Sequence, residues 1–342
     1  MQGSGLIQLT AKGLYCAEGD FFIDPWYPAG KAIITHGHSD HARLGQTAYL
    51  SHPITEKVIK HRLGLVQTET IEYEEERMIN GVGVTLFPAG HIPGSAQVRV
   101  RKGSETWVIS GDYKCHLDGI SEPFVPVAAT HFISECTFGL PIFSWKSQAE
   151  VMAEMNQWWA HNASMGIQSV VFAYALGKAQ RILNSLDVSI GNVYAHGAVL
   201  AMNETLNSAG LNITPCLSIQ NASKEALKGS IIIAPPGAAG TPWMKKLEPY
   251  RTAFASGWMA MRGSRRWQAA DKGFVLSDHA DWQELNTAIV ATGAAHIYLT
   301  HGYKSAYAKY LQTQGFDAVE LDTLFEGESL KNASAQENLH AS

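Results

Sequence analysis

Short apolar runs separated by glycines and polar turns fill the first third of the chain. Leu6–Leu9, Gly13–Cys16, Phe21–Asp24, Lys31–Thr35, Tyr49–Ser51, Gly83–Phe87, Trp107–Ser110 and His131–Ser134 each read as a strand, and Ile54–Arg62 as a short helix. The period changes near Pro141. Val151, Met155, Trp158 and Trp159 then share a face over Ser147–His161, which predicts a helix. Ser169–Tyr174 (strand), Lys178–Leu186 (helix), Val199–Ser208 (helix) and Ser230–Ala234 (strand) follow, and this alternation predicts a separate α/β unit with a parallel sheet. Phe274–Ser277, a helix over Trp282–Ala291 capped by Asp281, a strand at His296–Thr300, a helix at Ser305–Gln314 and a strand near Ala318–Leu321 close the pattern. The residues from Gly327 to Ser342 are polar and carry no period, so disorder is expected there.

The chemistry-bearing residues stand at the ends of these strands. After Lys31–Thr35 comes His36-Gly37-His38-Ser39-Asp40-His41, three imidazoles and a carboxylate in six residues. Strand ends also deliver His91 in a Gly/Pro-rich turn, Asp112 after glycine, Glu135, His279 and His301. Imidazole and carboxylate are usual donors for zinc and similar divalent ions. One centre would take His36, His38 and His91, the other Asp40, His41 and His301, with Asp112 between them. A water shared by two such cations loses a proton near neutral pH and becomes a nucleophile, while the charge on the ions stabilises a phosphoryl group. Glu135 and His279 stay outside the ligand set. A histidinium held by a carboxylate suits a general acid, and the competing reading is a pair of structural groups. Asp24 has two readings of equal weight, a turn former and a carboxylate that orients the histidine loop.

Bulk properties change this picture little. The 342 residues allow about two domains. Four scattered cysteines without a Cys-x-x-Cys fit a reducing compartment. No leader pattern and no membrane-length apolar run is visible, so a cytoplasmic protein is expected. The net charge of −5 is not that of a typical nucleic-acid binder. Locally the balance reverses: Thr241–Lys272 holds seven basic residues against two acids, among them Arg262, Arg265 and Arg266, with Trp243, Trp258 and Trp267 interleaved. Cations with aromatics suit phosphate contacts and base stacking, and a charged surface over core tryptophans accounts for the same composition. Lys178 and Arg181, after Gly177 at a strand-to-helix turn, are further candidates for holding a phosphate, against a solvated helix start.

The set His36-Gly37-His38-Ser39-Asp40-His41, His91, Asp112 and His301, in that order, resembles the metallo-β-lactamase superfamily. Glu135 in Ser-Glu-Cys-Thr-Phe-Gly, His279 in Ser-Asp-His-Ala-Asp and His301 in Leu-Thr-His-Gly resemble motifs A, B and C of its β-CASP nuclease branch. Phe172–Gln180 and Ala234-Pro235-Pro236-Gly237 are similar to the inserted cap of that branch. The resemblance implies an α/β fold: a four-layer αββα sandwich from residues 1–145 and 270–330, a β-CASP cap over 146–269, and an active site in the cleft between sandwich and cap; composition sets apart 331–342 as a tail expected to be disordered. It implies a two-metal phosphodiesterase using zinc or manganese, with Asp40, Glu135 and His279 as catalytic residues. The wording around the motifs is most like the bacterial ligase-associated DNA exonuclease group, which implies DNA as substrate and work beside an ATP-dependent ligase and a helicase. His301 at motif C is commoner in RNA-processing members, so RNA is the alternative. A lactonase or thioesterase would need neither cap nor His279, and a scaffold without metals would not need the full ligand set. Strand polarity, exo or endo mode and oligomeric state are not legible in the chain.

Overall fold

The computed structural model describes residues 5–220, 222–261 and 269–325, and they fall into two compact units. The first comprises residues 5–117, 121–144 and 279–325; the second comprises 118–120 and 145–278.

The first unit opens with a six-stranded sheet in sequence order: β1 (Gln8–Thr10), β2 (Gly13–Cys16), β3 (Phe21–Ile23), β4 (Lys31–Ile33), β5 (Ala48–Ser51) and β6 (Thr68–Thr70). β1 to β3 are antiparallel and β3 to β6 parallel. The helix α1 (Pro53–Leu63) lies between β5 and β6 in the chain. His52 caps it, proline opens it and Gly64 ends it. A meander then builds the second sheet: β7 (Glu76–Ile79), β8 (Val82–Pro88), β9 (Ala96–Lys102) and β10 (Glu105–Ile109), with β11 (His131–Cys136) parallel to β10.

The second unit carries a six-stranded, wholly parallel sheet. Its elements are α2 (Gln148–Ser164), β12 (Gln168–Phe172), α3 (Lys178–Leu183), β13 (Val193–Ala195), α4 (Gly197–Ser208), β14 (Leu217–Ser218), α5 (Lys224–Leu227), β15 (Ile231–Ala234), β16 (Tyr250–Ala255) and β17 (Lys272–Phe274). The strand order is β14-β13-β15-β12-β16-β17. Every residue of β12 and β15 is buried, as expected of central parallel strands. A full capping box of Ser147 and Glu150 fixes the start of α2.

The chain then returns to the first unit. α6 (Trp282–Thr292), capped by Asp281 with Glu284 and ended by left-handed Gly293, precedes β18 (His296–Gly302); α7 (Lys304–Thr313) and β19 (Asp317–Glu320) follow. β18 inserts parallel between β11 and β19 and completes a seven-stranded sheet.

Alternation along the strands decides the packing. Leu14, Phe21, Ile23 and Ile33 of one sheet meet Val84, Val98, Trp107 and Ile133 of the other in one core. The opposite residues of the first sheet, Ala32, Ile34 and Tyr49, pack with Ile59 of α1. Those of the second sheet, Val108, Phe132, Ile297 and Leu299, pack with Leu285 and Ile289 of α6 and Tyr307 and Leu311 of α7. The first unit is thus helix, sheet, sheet, helix.

Candidate metal centre

β8 and β10 run the same way because β9 is antiparallel to both, and β11 and β18 are parallel to β10. The chain segments that leave these four strands therefore emerge at one edge of the sheet. His91 and Asp112 lie just beyond β8 and β10, and Glu135 and His301 occupy the second-last positions of β11 and β18. The loop after β4 joins them there: Ala96 donates its backbone N–H to Thr35 O at 2.7 Å and ties the two sheets together. Gly111 makes the approach possible, since at its φ of +57° a Cβ would stand 2.7 Å from Thr35.

The histidine loop is held from behind by Asp24, itself in the left-handed region at φ 44° and buried. Asp24 Oδ1 accepts the Thr35 N–H at 2.8 Å, and Oδ2 accepts the Thr35 hydroxyl at 2.6 Å. The hydroxyl proton being committed, Thr35 Oγ1 accepts from His36 Nδ1 at 3.0 Å. His41 Nδ1 donates to Asp24 Oδ2 at 2.8 Å. This network assigns the Nδ1–H tautomer to both imidazoles and leaves Nε2 as the donor atom. From α1, Arg62 braces the loop by donating to Gly37 O at 2.8 Å and Ala42 O at 3.3 Å.

Asp112 sits between the histidines. Its Oδ2 lies 3.6 Å from His36 Nε2 and 3.8 Å from His91 Nε2; its Oδ1 lies 3.6 Å from His41 Nε2 and 3.1 Å from His301 Nε2. His38 Nδ1 and His91 Nε2 are 3.0 Å apart, and Asp40 Oδ2 is 3.6 Å from His41 Nε2. Donor atoms of His36, His38, His91 and Asp112 gather within 4.8 Å of one another.

Four of these atoms, His36 Nε2, His41 Nε2, His301 Nε2 and Asp112 Oδ1, are buried and make no hydrogen bond. The shortest approach among them is His301 Nε2 to Asp112 Oδ1 at 3.1 Å. Orphaned polar atoms are costly, and here they converge. A divalent cation answers them, and an imidazole-rich donor set suits zinc. The electrostatics agree at His36, while at His41 a proton holds the place that a cation would take. Burial, with His41 nearby, holds His36 well below the ordinary histidine pKa, so it is neutral with a lone pair to give. Burial acts the same way on His41, but Asp112, Asp40 and Asp24 outweigh it and lift that group to about 10. Against burial, His41 and His301 hold Asp112 well below the usual carboxylate range. Asp40 is lowered too, His41 again opposing burial.

Beside this cluster lies a buried pair. His279 Nδ1 is 3.0 and 2.9 Å from the two oxygens of Glu135. Glu135 also accepts the Tyr113 N–H at 2.8 Å and the Thr137 hydroxyl. The His279 and His91 rings are 4.7 Å apart, and Asp112, Glu135 and His279 form a second close grouping of donors.

The strand-end residues His36, His38, Asp40, His41, His91, Asp112, Glu135, His279 and His301 are thus brought together. The substrate candidates are not. Lys178 is fully buried in the second unit with its ammonium 3.4 Å from Asp278. Arg181 is also buried and donates to Asp278, to Ser277 O at 2.6 Å and to Gln148 at 3.0 Å. The sequence leaves two readings for the helix start at Gly177, holding a phosphate or lying solvated; the structure has an internal ion-pair cluster there, because the segment after β17 supplies Asp278. Arg262, Arg265, Arg266 and Trp267 lie outside the described residues, as does the tail at 331–342. Of the remaining basic stretch, Lys245 and Lys246 are exposed, and Trp243 is half-buried with its ring 5.1 Å from that of His196. Thr35 and Arg62 were not visible as site residues in the sequence. Thr35 reads as the end of a strand, and Arg62 as a basic residue closing a helix.

No family model matches the chain. It is 29% identical over 315 residues to a protein of Opitutus terrae named "Probable DNA ligase", a similarity covering 90% of this chain and 30% of that one. It is 30% identical over 123 residues to Endoribonuclease YSH1 of Kluyveromyces lactis and 28% identical over 123 residues to that of Saccharomyces cerevisiae, covering 35% of this chain in each case and 16% and 15% of those proteins. The chain therefore spans under a third of the length of the curated relatives it matches here. These similarities support a relationship with β-CASP metallo-β-lactamase nucleases, without selecting a group among them. In fold, the chain is similar to the crystal structure of a protein of unknown function from Enterococcus faecalis V583, with a TM-score of 0.59 at 11% identity over 86% of this chain and 80% of that one. Among the described residues no helix is long and apolar enough to cross a membrane.

Proposed function

We propose that this chain is a two-metal phosphodiesterase that trims DNA ends during repair. The observation that carries the metal reading is the convergence of four orphaned donor atoms from His36, His41, His301 and Asp112. One centre would be held by His36, His38 and His91, the other by Asp40, His41 and His301, with Asp112 shared. Divalent cations held there would lower the pKa of a water and offset charge on phosphoryl oxygens. The chain's own residues do the rest. Asp24 and Thr35 fix the imidazole tautomers, and Asp112 separates the two histidine sets. With its Nδ1 edge on Glu135, His279 exchanges its proton through Nε2, and the carboxylate stabilises the imidazolium that protonates the departing sugar oxygen.

DNA is favoured by the similarity over 90% of the chain to a protein named for DNA ligation. A partner ATP-dependent ligase, with a helicase, fits that reading. A second reading, RNA cleavage, is favoured by the similarity to the YSH1 endoribonucleases. An end-labelled time course on matched single- and double-stranded DNA and RNA, with zinc and manganese compared, tests both. Progressive shortening of DNA with intact RNA is the expected result. Internal cuts in RNA with intact DNA would replace the first reading by the second. Turnover of a lactone or thioester with no nucleic-acid cleavage would remove both.

A further inference from the structure

We propose that Phe325 is a positioning residue for His41, fixing the plane of its imidazole and keeping water from the back of the half-site formed by His41, His301 and Asp112. The inference rests on the metal-centre reading above. After β19 the chain does not leave the first unit. Leu321 donates its N–H to Leu299 O at 2.8 Å and its carbonyl accepts from Lys304 Nζ at 2.7 Å. Arg43 then bridges two segments: its Nε donates to Asp40 O at 3.1 Å in the histidine loop, and its Nη2 donates to Leu324 O at 3.1 Å. One guanidinium thus straps residues 321–325 to the loop that carries the metal donors.

The strap ends with Phe325 stacked on His41, ring centroids 4.6 Å apart and planes 2° from parallel. The same ring meets Trp26 edge-on at 5.5 Å and His301 edge-on at 6.0 Å. A cavity of about 10 Å³, the lower limit for one water, lies between Asp24, His41 and His301 on its polar side and Leu14, Ile109, Ile133 and Phe325 on its apolar side. The geometry assigns the ring a task. Asp24 holds His41 at one edge, and the other edge faces Asp112. Only the Asp24 contact is a hydrogen bond, and both contacts are made at the ring edges, so neither covers a face of the imidazole. A stacked ring does. An imidazole that is protonated or bound to a cation is electron-poor, and the negative face of Phe325 attracts it. An apolar wall also keeps the dielectric low around the donors, which strengthens their hold on a cation.

The test compares Phe325→Ala, Phe325→Leu and Phe325→Trp, each first checked for native circular dichroism. In metal-free protein, NMR of the His41 ring protons should show an upfield ring-current shift that is lost in the Ala and Leu variants and restored by Trp. Exchange of the His41 Nδ1 proton with solvent should quicken in Phe325→Ala. In zinc-loaded protein, one of the two metals should pass to a chelator roughly 10- to 100-fold faster in Phe325→Ala than in the wild type. The Leu variant, which keeps apolar volume, guards against a general loss of folding in the Ala variant. An unchanged His41 resonance in folded Phe325→Ala overturns the proposal, and so does wild-type release of both metals despite a changed resonance. A wild-type protein that binds no metal overturns the metal-centre reading instead, and the metal-free imidazole measurements then decide the role of Phe325.

Discussion

Both units bury charged side chains at the ends of parallel strands, and the two burials resolve differently. In the second unit, Lys178 and Arg181 are answered by Asp278, Ser277 O and Gln148. In the first, the Nε2 atoms of His36, His41 and His301 and Oδ1 of Asp112 face one another with no hydrogen bond. Desolvating a charge is unfavourable in either place. A cluster whose donors are answered within the fold is architecture. A cluster whose donors converge unanswered is a seat for something from outside. Burial alone does not separate the two; hydrogen-bond completion does.

This contrast breaks first at Asp112. Asp112→Ala should lower bound metal by one or two per chain in elemental analysis and bring cleavage below detection; full metal content with full activity would end the two-centre description. His279→Ala should keep both metals and slow single-turnover cleavage by about 10²–10⁴, the effect of a lost general acid. In the closed cluster the effect should fall on stability instead. Asp278→Ala removes the carboxylate that Lys178 and Arg181 share, leaving Arg181 the 3.8 Å approach to Asp118, and should cost about 3 kcal/mol in denaturant unfolding, with metal content unchanged. A smaller effect is expected at Asp24. Asp24→Asn keeps the shape but loosens the tautomer control, and metal affinity should fall about 10- to 100-fold in competition with a chelator.

The smallest effect is the pH dependence of the metal-free protein. His41 has a folded pKa of about 10, above its ordinary 6.5, so its charge stabilises the fold below pH 6.5 and that contribution is lost as pH rises through about 10. The urea midpoint of metal-free protein should therefore decline over that window. Metal-loaded protein, where an ion has replaced the proton, should not show the decline.

Much of the site was legible because its ligands stand where apolar runs stop. His36, His91, Asp112, Glu135 and His301 each follow a recognisable apolar run, and the signal lay in their recurrence at five such ends and not in any one of them. β9, which sets the direction of the strands before His91 and Asp112, was passed over although Ala96, Val98 and Val100 alternate with Gln97, Arg99 and Arg101 in the period of a half-buried strand; the Arg99 cation lies over the Phe87 ring. Elsewhere legibility failed where the signal was tertiary. Lys178 and Arg181 looked solvated because their partner Asp278 lies about a hundred residues away in sequence. Asp24 had two readings until its bonds to Thr35 and His41 were seen. Phe325 offered no sequence signal at all, being a single aromatic beyond the last strand.

The insertion of β18 between β11 and β19 has a consequence for the protein as it is made. His301 rides on that strand, while His36 to His41 lie near the start of the chain. A nascent polypeptide emerging from the ribosome exposes most of the metal donors early, yet β11 keeps an unpaired edge until residues 296–302 arrive to dock on it. The last imidazole and the closure of the sheet come in one event. A ribosome stalled before that point holds a chain that lacks both the last imidazole of the cluster and the strand that covers β11, so the candidate site is complete only once residues 296–302 are in place.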